Sequence, residues 1–378
     1  MSGELLQEHA GAGARQGACD RLVIRRAGRS DEDAMRGLFA VRRHSEESAP
    51  GDARGPDLDN PSRNLWLALN GDRAVGMTSV QERSIRIGNG MCRIAYWTGL
   101  FIDPAYRSHF VYPRLMSAMF AGLRERGIHH LYAAVRRQQI AEAHQKIGFK
   151  KIGDMAVLAK PLKPALLFAK YRRLVAAGQG QRFLRLLCSV PDAMAGMGIR
   201  LQGPRASEEW KVAQIQWTSS EVSDLAQLYT HGCAGATAQT WSAESLRTRY
   251  APREFGYQLL GVQRQGRLCA AVIVRMVDRS DGIRAAVIMD LIHEPGAMDA
   301  AKLALVAVEQ LALASGCDVI IFLDGLPSCD NEIVRKRAYL KSSEKYSLLL
   351  WKDRRTDTAC FPEDLRSWRF SFGDHDTF

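Results

Sequence analysis

One short segment carries the residue types that could bind a phosphorylated molecule. It lies between a predicted strand and a predicted helix and reads Tyr106-Arg107-Ser108-His109-Phe110-Val111-Tyr112. A loop in this position can direct its backbone N–H groups at phosphate oxygens, and the helix N-terminus adds the positive end of its dipole. Arg107 can pair with a phosphate through two N–H bonds. The pattern predicts an anion-binding loop; the alternative is a plain strand-to-helix connection with a surface arginine.

The elements around this segment follow from apolar periodicity and turn residues. A long strand over 92–102 ends at Asp103-Pro104, and a helix opens near Pro113 because proline suits the first turn of a helix. A strand over 131–135 and a short helix come next. Over residues 21–162 the predicted order is strand, helix, three strands, helix, strand, helix and strand, which is a compact α/β unit.

The second half of the chain repeats the first in the order of its elements. Three short stretches match at nearly the same offset: 100–104 with 291–295, 70–73 with 265–267, and 146–151 with 336–341. A constant offset indicates a duplicated unit, so we expect a second domain over 214–378. Its loop after Pro295 is shorter and has no arginine, which predicts that its phosphate site is lost. This half can instead form a substrate wall or the surface of a homodimer.

The stretch between the two units alternates basic and apolar residues. Its cations are Lys163, Lys170, Arg172, Arg173, Arg182 and Arg185. Such an amphipathic segment can lie on an anionic membrane surface, so peripheral membrane contact through 163–187 is one expectation for the connector 163–213. The other is a pair of linker helices whose charges stay in water. Residues 1–20, rich in glycine, alanine and charge, are expected to be a flexible tail.

Composition narrows the classes of partner. The chain has 378 residues and a net charge of +11, which predicts a phosphorylated cofactor, an acidic carrier, a nucleic acid or a membrane surface as its partner. No nucleic-acid-binding motif accompanies the charge, so we expect no nucleic acid. The first residues lack the apolar run of a signal peptide, and no run of about 18 apolar residues occurs, which predicts a cytoplasmic protein.

Two stretches around the loop resemble the GNAT superfamily of N-acyltransferases. The family's phosphate loop follows an x-Pro-x-Tyr-Arg lead-in, seen here as Asp103-Pro104-Ala105-Tyr106-Arg107, and its next helix ends in a Gly-Phe pair, seen here as Gly148-Phe149. The resemblance covers residues 22–160, and the repeat extends it to 214–352. It implies an α/β protein with two tandem GNAT-like domains, each a mixed, mostly antiparallel central sheet flanked by helices.

The resemblance also implies a reaction and a donor site. Acetyl-CoA or another acyl-CoA would lie where the strand 92–102 splays from the strand 131–135. Its pyrophosphate would contact the backbone of Arg107, Ser108, His109, Phe110, Val111 and Tyr112. A backbone N–H from Leu100, Phe101 or Ile102 would stabilise the oxyanion that forms when an amine attacks the thioester. The acceptor would be the amine of a small metabolite such as an amino sugar or an amino-acid derivative, and no metal is implied.

The chain departs from the family pattern at two places. Phe110 and Tyr112 stand where the family favours glycine, which permits close backbone approach to phosphates. This departure makes an acyl carrier protein an alternative donor. His144 stands four residues before Gly148, where many members carry a tyrosine that acts as general acid, and a histidine can donate a proton near neutral pH. The alternative for His144 is a solvent-facing residue of its helix.

Several residues are candidates for the general base and for contacts with the acceptor. Tyr96 and Thr98 occupy the inner part of the strand 92–102, where no carboxylate is found. We expect the catalytic residues to include His144, Glu82 and Tyr96. The candidates for substrate contact are Thr98, His44, Glu46 and Glu47. Each of the carboxylates can equally be a surface charge, and a water chain could take the place of a direct base.

Two functions fit these residues. One is an N-acyltransferase with a single working cleft in the first domain, and the other is a degenerate tandem GNAT that binds a metabolite or scaffolds a complex. The aromatic and acidic tail over 367–376 resembles the ends of some tandem acyltransferases of bacterial polysaccharide loci. Its Asp374, His375 and Asp376 are of metal-ligating types. A structural or acceptor-contacting role is the alternative, and we expect no metal.

Overall fold

One continuous sheet of 13 strands organises the part of the chain that the structure describes. The computed structural model describes residues 22–45, 63–171, 180–201, 209–252, 255–279, 281–326, 328–355 and 361–375. The strands are β1 (Leu22–Arg26), β2 (Arg63–Asn70), β3 (Arg73–Ile87), β4 (Gly90–Ile102), β5 (His130–Val135), β6 (Lys150–Pro161), β7 (Trp210–Ile215), β8 (Ala238–Gln239), β9 (Tyr257–Arg264), β10 (Arg267–Asp278), β11 (Arg284–His293), β12 (Val319–Leu323) and β13 (Leu340–Lys352). The helices are α1 (Glu32–Ser45), α2 (Val111–Glu125), α3 (Gln138–Lys146), α4 (Pro164–Tyr171), α5 (Gly180–Leu201), α6 (Glu221–Gly232), α7 (Ala243–Tyr250), α8 (Met298–Ala314) and α9 (Ser328–Lys336).

The two halves of the chain exchange their last strands. The order across the sheet is β1-β2-β3-β4-β5-β13-β6-β12-β11-β10-β9-β7, with β8 paired to β3. Only β4 with β5 and β11 with β12 pair in parallel among these strands. The predicted mixed, mostly antiparallel sheet flanked by helices is confirmed, and the two halves build it jointly. The predicted domain limits at 162 and 214 stay predictions, and β7 begins slightly before the second of them.

Buried ion pairs fasten each exchanged strand to the half that receives it. Lys160 of β6 binds Glu309 of α8 at 2.7 Å, and Arg337 binds the same carboxylate at 2.6 Å. Asp353, directly after β13, binds Arg124 of α2 at 3.0 Å. Glu309 is 0% exposed, so its charge depends on these two cations for compensation. The exchanged strands are therefore held by these ion pairs as well as by the backbone hydrogen bonds between neighbouring strands.

The helices divide between the two faces of the sheet. α2, α3, α8 and α9 pack on one face, and α1, α6 and α7 pack on the other. The segment 361–375 crosses the second face, with Trp368, Phe370 and Phe372 buried. Among the described helices, none has the length and hydropathy needed to cross a membrane.

Helix α2 is held close to the sheet by its apolar side and by a glycine beneath it. Its buried residues recur every three or four positions: Leu115, Met116, Met119, Phe120 and Leu123. At Gly76 of β3 a Cβ would stand 3.0 Å from a methyl of Val111. The glycine therefore lets the first turn of α2 rest on the sheet, beside the end of β4.

Candidate active site

A cleft begins where β4 and β5 separate. The two strands pair only at Ala95 with Leu131 and at Tyr96 with Tyr132. Over residues 97–102, among the described residues, β4 has β3 as its strand partner on one edge and none on the other. Successive N–H groups of a strand point to opposite edges, so every second N–H of this stretch faces the cleft. The cleft therefore has a row of backbone donors along one wall.

A β-bulge bends β4 at the start of the cleft. Ser79 pairs with Gly99 and Val80 pairs with Trp97, which leaves Thr98 as the extra residue. A bulge re-aims side chains and stops regular pairing at its own position. The Thr98 hydroxyl lies 2.8 Å from the Ser79 hydroxyl. Thr98, predicted as an acceptor contact, thus stands at the point where the cleft opens.

The three residues predicted to offer the oxyanion N–H occupy the end of β4. Leu100 and Ile102 pack at the edge of the core beneath α2, whereas Phe101 is buried beneath α1 on the other face. Their side chains are therefore part of the packing. Only their backbone is available for the predicted role.

The predicted phosphate loop follows β4 directly. A single 3-10 turn spans Pro104–Tyr106, and the Asp103 carboxylate accepts a hydrogen bond from the Ala105 N–H at 3.0 Å. Arg73 binds Asp103 at 2.6 Å and fixes the turn to the β2–β3 hairpin. Arg107 and Ser108 are exposed after this turn, where they can meet a ligand.

The loop enters α2 through a strained residue. Phe110 is the residue before the helix, has φ 54° and is 74% exposed. A left-handed conformation costs a non-glycine residue about 1–2 kcal/mol, and glycine would adopt it freely. The first N–H groups of a helix have no partner within the helix, so they are available to an anion. The backbone at Phe110 thus has the left-handed conformation that glycine adopts freely, but this residue carries an exposed aromatic ring.

His144 lies buried between aromatic rings instead of in solvent. It is 0% exposed, and its ring centroid lies 4.4 Å from that of Trp97 and 4.8 Å from that of Phe149. Its Nδ1 lies 2.9 Å from the Ile140 carbonyl oxygen and 3.3 Å from the Tyr112 hydroxyl. Burial lowers the pKa of His144 to about 4 despite the hydrogen bond to Ile140. The imidazole is therefore neutral at physiological pH.

The contacts of Nδ1 determine the tautomer. A carbonyl oxygen can only accept, so Nδ1 must carry the proton that faces Ile140. The same N–H can be shared with the Tyr112 oxygen, which then accepts and leaves its own hydrogen free to point elsewhere. Nε2 is buried, has no hydrogen-bond partner among the residues that the structure describes, and bears the lone pair. Burial also raises the pKa of the Tyr112 phenol.

Glu82 belongs to an ion cluster at the far end of α2. Its carboxylate accepts from Arg93 at 2.8 Å, from Arg126 at 2.6 Å and from Asn64 at 3.0 Å. Burial alone would raise the pKa of Glu82, but these donors outweigh it and lower the pKa below its usual range. Arg126 follows the last turn of α2, and a helix of 15 residues is about 22 Å long, so the predicted loop lies at the opposite end.

Tyr96 faces the side of the sheet away from α2. It is 1% exposed, its ring centroid lies 4.8 Å from that of Tyr132, and the Arg83 guanidinium covers it at 3.9 Å. Of the other predicted acceptor contacts, His44 lies in the last turn of α1. Glu46 and Glu47 lie outside the described residues. The structure therefore brings Trp97, Thr98, Tyr112 and His144 around the cleft, and it places Glu82 and Tyr96 in other surroundings.

The corresponding cleft of the second half is filled by the tail. β11 and β12 pair over three positions and then separate, and β11 bulges at Met289. Between them, the Phe370 N–H donates to the Gly325 carbonyl at 2.7 Å and Arg369 donates to the Leu291 carbonyl at 2.8 Å. The aromatic composition of the tail was visible in the sequence, but its insertion between two strands was not.

The tail buries its charges in the same cleft. Arg369 donates to the two oxygens of Asp290 at 2.5 and 3.3 Å, and Tyr229 donates to Asp290 at 2.6 Å. Asp374 accepts from the Ser371 N–H and hydroxyl. Within the described part of the chain, no three metal-ligating side chains lie close enough to share an ion, and Asp376 lies outside it. The tail thus acts as structural filling of the second half.

Comparisons with solved structures identify the fold. A probable N-acyltransferase from Enterococcus faecalis superimposes with a TM-score of 0.60 at 11% identity, covering 88% of this chain and 73% of that one. The N-myristoyltransferase of Saccharomyces cerevisiae with bound myristoyl-CoA gives a TM-score of 0.59 at 9% identity, covering 88% and 78%.

A third solved structure has a similar fold, whereas two comparisons by sequence gave no match. A GCN5-related N-acetyltransferase from Anabaena variabilis gives a TM-score of 0.59 at 10% identity, covering 87% of this chain and 72% of that one. Neither protein-family profiles nor curated protein sequences give a match. Because the similar structures span both halves, the resemblance seen around the loop extends over most of the chain. The chain therefore has the fold of the GNAT-type N-acyltransferases.

Proposed function

We propose that this protein transfers an acyl group from acyl-CoA to the amine of a small molecule, using the cleft of its first half. The observation that carries the proposal is the separation of β4 from β5 beside the predicted phosphate loop, where one edge of β4 has no strand partner among the described residues. Such an edge can hold an extended donor by backbone hydrogen bonds while a helix N-terminus holds its phosphates. The myristoyl-CoA bound to the yeast neighbour supports an acyl-CoA donor on this fold.

Two regions of the cleft would bind the two ends of the donor. Backbone N–H groups would bind the thioester, and charged groups would bind the pyrophosphate. The cleft-facing N–H groups between Leu100 and Ile102 would bind the thioester oxygen, where negative charge develops during attack. Arg107 and the N–H groups at the start of α2 would bind the pyrophosphate. The acceptor, such as an amino sugar or an amino-acid derivative, would enter from the face where the Thr98 and Ser79 hydroxyls lie.

Tyr112 takes the acid role that the sequence predicted for His144. The acceptor nitrogen attacks the thioester carbon, so a C–N bond forms and the C–S bond breaks. The departing sulfur takes the phenolic proton of Tyr112, which recovers a proton from water, and the amine loses its surplus proton to water. His144 positions the phenol: its Nδ1–H fixes the Tyr112 oxygen as an acceptor and leaves the phenolic hydrogen free for the sulfur.

Phe110 favours a second candidate function. Its exposed ring occupies the position where a glycine would let phosphates approach closely. This side chain suits either an acyl carrier protein as donor or a cleft that binds a metabolite without turnover. Thiol release separates an enzyme from a binding protein. An acyltransferase releases free thiol from acyl-CoA or from an acyl carrier protein, whereas a cleft that only binds a metabolite releases none.

The test measures thiol release and donor binding on the same preparations. Acyl-CoAs from acetyl to myristoyl, and an acyl carrier protein, are offered with a panel of amines. Arg107→Ala should raise the Kd for acyl-CoA about tenfold, the loss of one good charge-assisted contact. Lys302→Ala is the matched control, because Lys302 lies in the first turn of α8 and is half exposed. It should leave the Kd unchanged.

Two outcomes contradict the proposal in different ways. If wild-type protein binds acyl-CoA and no donor releases thiol with any amine, the binding function replaces the enzymatic one. If Arg107→Ala and Lys302→Ala behave alike, the loop is not the donor site, even if thiol is released.

A further inference from the structure

The Thr78 side chain connects β3 to the bulged part of β4. The Trp97 indole N–H donates to the Thr78 hydroxyl oxygen at 3.0 Å, and this hydroxyl lies 3.2 Å from the Gly99 carbonyl oxygen. Thr78 is 0% exposed, and Trp97 and Gly99 lie on either side of the extra residue of the bulge. We call these two hydrogen bonds the Thr78 bridge. The bridge therefore lies at the point where the cleft opens.

The hydrogens of the Thr78 bridge have only one possible arrangement. An indole N–H can only donate, so the Thr78 oxygen accepts from Trp97. The single hydroxyl hydrogen of Thr78 then has two neighbours, the Gly99 carbonyl oxygen at 3.2 Å and the Met119 sulfur at 3.9 Å. A thioether sulfur is a weak acceptor, so this hydrogen points to the carbonyl oxygen. The bridge therefore donates from the indole through the hydroxyl to the backbone of β4.

The alternation of β4 decides which of its backbone N–H groups face the cleft. The Asp103 N–H donates to the Val75 carbonyl oxygen, on the side of β3, at 2.9 Å. Because successive N–H groups of a strand face opposite edges, the Phe101 N–H also faces β3. Of the three residues predicted to offer the oxyanion N–H, only Leu100 and Ile102 therefore direct it into the cleft.

The Thr78 bridge holds the peptide unit that carries the first of these two donors. In a trans peptide the carbonyl and the N–H of the next residue point in opposite directions. The Thr78 hydroxyl binds the Gly99 carbonyl from the side of β3, so the Leu100 N–H points into the cleft, in agreement with the alternation. The bulge at Thr98 interrupts regular pairing beside this peptide, and the hydroxyl supplies an additional constraint there.

The bridge also strengthens the donor that it directs. Hydrogen bonds in a chain polarise one another, so a peptide whose carbonyl accepts a hydrogen bond has a more positive N–H. The Gly99 carbonyl accepts from a hydroxyl that itself accepts from the Trp97 indole. The Leu100 N–H is therefore the last donor of a polarised chain, and it faces the site proposed for the thioester.

We infer that Thr78 is a positioning residue for acyl transfer, because it directs and polarises the Leu100 N–H at the thioester oxygen. This oxygen gains negative charge as the amine forms the C–N bond, and it loses the charge when the C–S bond breaks. The Leu100 N–H donates to it throughout and keeps its proton. The contribution of Thr78 is therefore largest in the transition state and small in the bound donor. The inference rests on the proposed function.

The test compares three substitutions of Thr78 by steady-state thiol release. Thr78→Val removes the hydroxyl and keeps the shape of the side chain, and it should lower kcat about tenfold. This is less than the effect of losing an oxyanion donor outright, because the N–H remains and is only misdirected. The KM and the Kd for acyl-CoA should change little. Thr78→Ala should lose as much kcat as Thr78→Val, whereas Thr78→Ser keeps the hydroxyl and should retain most of kcat.

The matched control is Thr240→Val. The Thr240 hydroxyl also donates to a backbone carbonyl of β3, that of Ser84, at 3.1 Å. Ser84 pairs with Arg93, well before β4 reaches the cleft, so this variant should keep the wild-type kcat. Thermal unfolding shows which variants are folded at the assay temperature, and the comparison of the alanine and valine variants separates loss of the hydroxyl from a packing effect.

The outcomes separate this inference from the proposed function. The inference alone is overturned if the wild type releases thiol and the variants without the hydroxyl do so with the same kcat. It is also overturned if Thr78→Ser loses as much as Thr78→Val, or if the loss lies entirely in KM. If the wild type releases no thiol with any donor and any amine, the proposed function fails and the inference fails with it.

Discussion

The two halves of this molecule share one framework and differ in what occupies the cleft. In each half a parallel pair meets briefly, the first strand bulges, and a loop leads into a long helix. The loop between the proline and the helix is long and bears Arg107 in the first half, and it is short after Pro295 in the second. In the described part of the chain, the edge of β4 that faces the first cleft has no strand partner beyond Tyr96, whereas the second cleft is filled by Arg369 and Phe370.

The difference between the two clefts shows how one fold, used twice, can bind a ligand in one half and provide stability in the other. A cleft that holds a ligand must keep backbone donors unpaired, which lowers the stability of that region. In the second half the tail donates to the Leu291 and Gly325 carbonyls, and the Leu291 N–H is satisfied by the Asp290 carboxylate. Gly325 permits this, because a side chain there would collide with the Phe370 carbonyl. The second half thereby becomes a stable support for the first, and the exchanged strands connect the two.

The filled cleft should depend strongly on Arg369. Arg369→Ala would leave the Asp290 carboxylate buried at 1% exposure without its cation, which costs about 3–5 kcal/mol. Denaturant-induced unfolding measures the loss. Arg366→Ala, in the same tail but exposed, should change the free energy of unfolding by less than about 0.5 kcal/mol. Equal effects of the two variants would mean that the tail does not stabilise the second half through this pair.

The sequence could predict the framework because its signals are local. The Asn70-Gly71 turn, the stop at Asp103-Pro104 and the end of a helix before Gly148 each depend on a few neighbouring residues, and the structure has turns or helix ends at all three. The match of 100–104 with 291–295 likewise predicted that the second half would repeat the first. Such features need no knowledge of distant contacts.

The strand exchange and the filled cleft could not be predicted in the same way. The apolar pattern of β6 and β13 shows that they are strands but not which neighbours they pair with, since pairing is decided across the whole sheet. His144 shows the same limit on a smaller scale. Its helix was predicted, but its burial depends on Trp97 and Phe149, which come from other elements.

The first cleft should lose turnover when its phenol is removed. Tyr112→Phe is expected to lower kcat about 100-fold with little change in KM, the size of a lost general acid. His144→Val introduces the residue type found at the matching position of the second half, Val334, and should lower kcat less. In the Tyr112→Phe background, His144→Val should cost nothing further, because its effect passes through the phenol. Steady-state thiol release measures all four proteins.

If the losses in kcat of the two single variants add in the double variant, the positioning role of His144 is contradicted. Additive losses would mean that His144 contributes to the cleft independently of Tyr112, for example by packing alone. A fall in kcat/KM that comes entirely from KM would place Tyr112 in donor binding instead of proton donation.

The buried imidazole should also make the first half sensitive to acid. An unfolded chain binds a proton at histidine near pH 6.5, whereas His144 in the folded protein resists protonation until about pH 4. The unfolded state therefore gains protons first, and the stability contributed by the neutral imidazole is lost as the pH falls from about 6.5 towards 4. The expected loss is about 1.4 kcal/mol for each pH unit in this window.

His144→Val isolates this effect. The variant still contains His130, whose pKa burial also lowers to about 4, so that contribution cancels in the comparison. Unfolding free energies at pH 7 and pH 5 should converge for the two proteins as the pH falls. Parallel curves would show that His144 is protonated as readily in the folded protein as in the unfolded chain.

The smallest expected difference lies at the turn that ends the last helix of each half. Gly148 adopts φ 101° in the first half, and Ala338 adopts φ 61° at the matching place in the second. Ala338→Gly should remove the left-handed strain of about 1–2 kcal/mol and add the chain entropy of glycine, about 0.5–1 kcal/mol, for a net gain near 0.5 kcal/mol. Gly148→Ala should destabilise by at least this amount, because φ 101° lies beyond the left-handed region that alanine can adopt. Thermal unfolding of the two variants checks both signs, and a loss of stability in Ala338→Gly would mean that its methyl contributes packing that outweighs the strain.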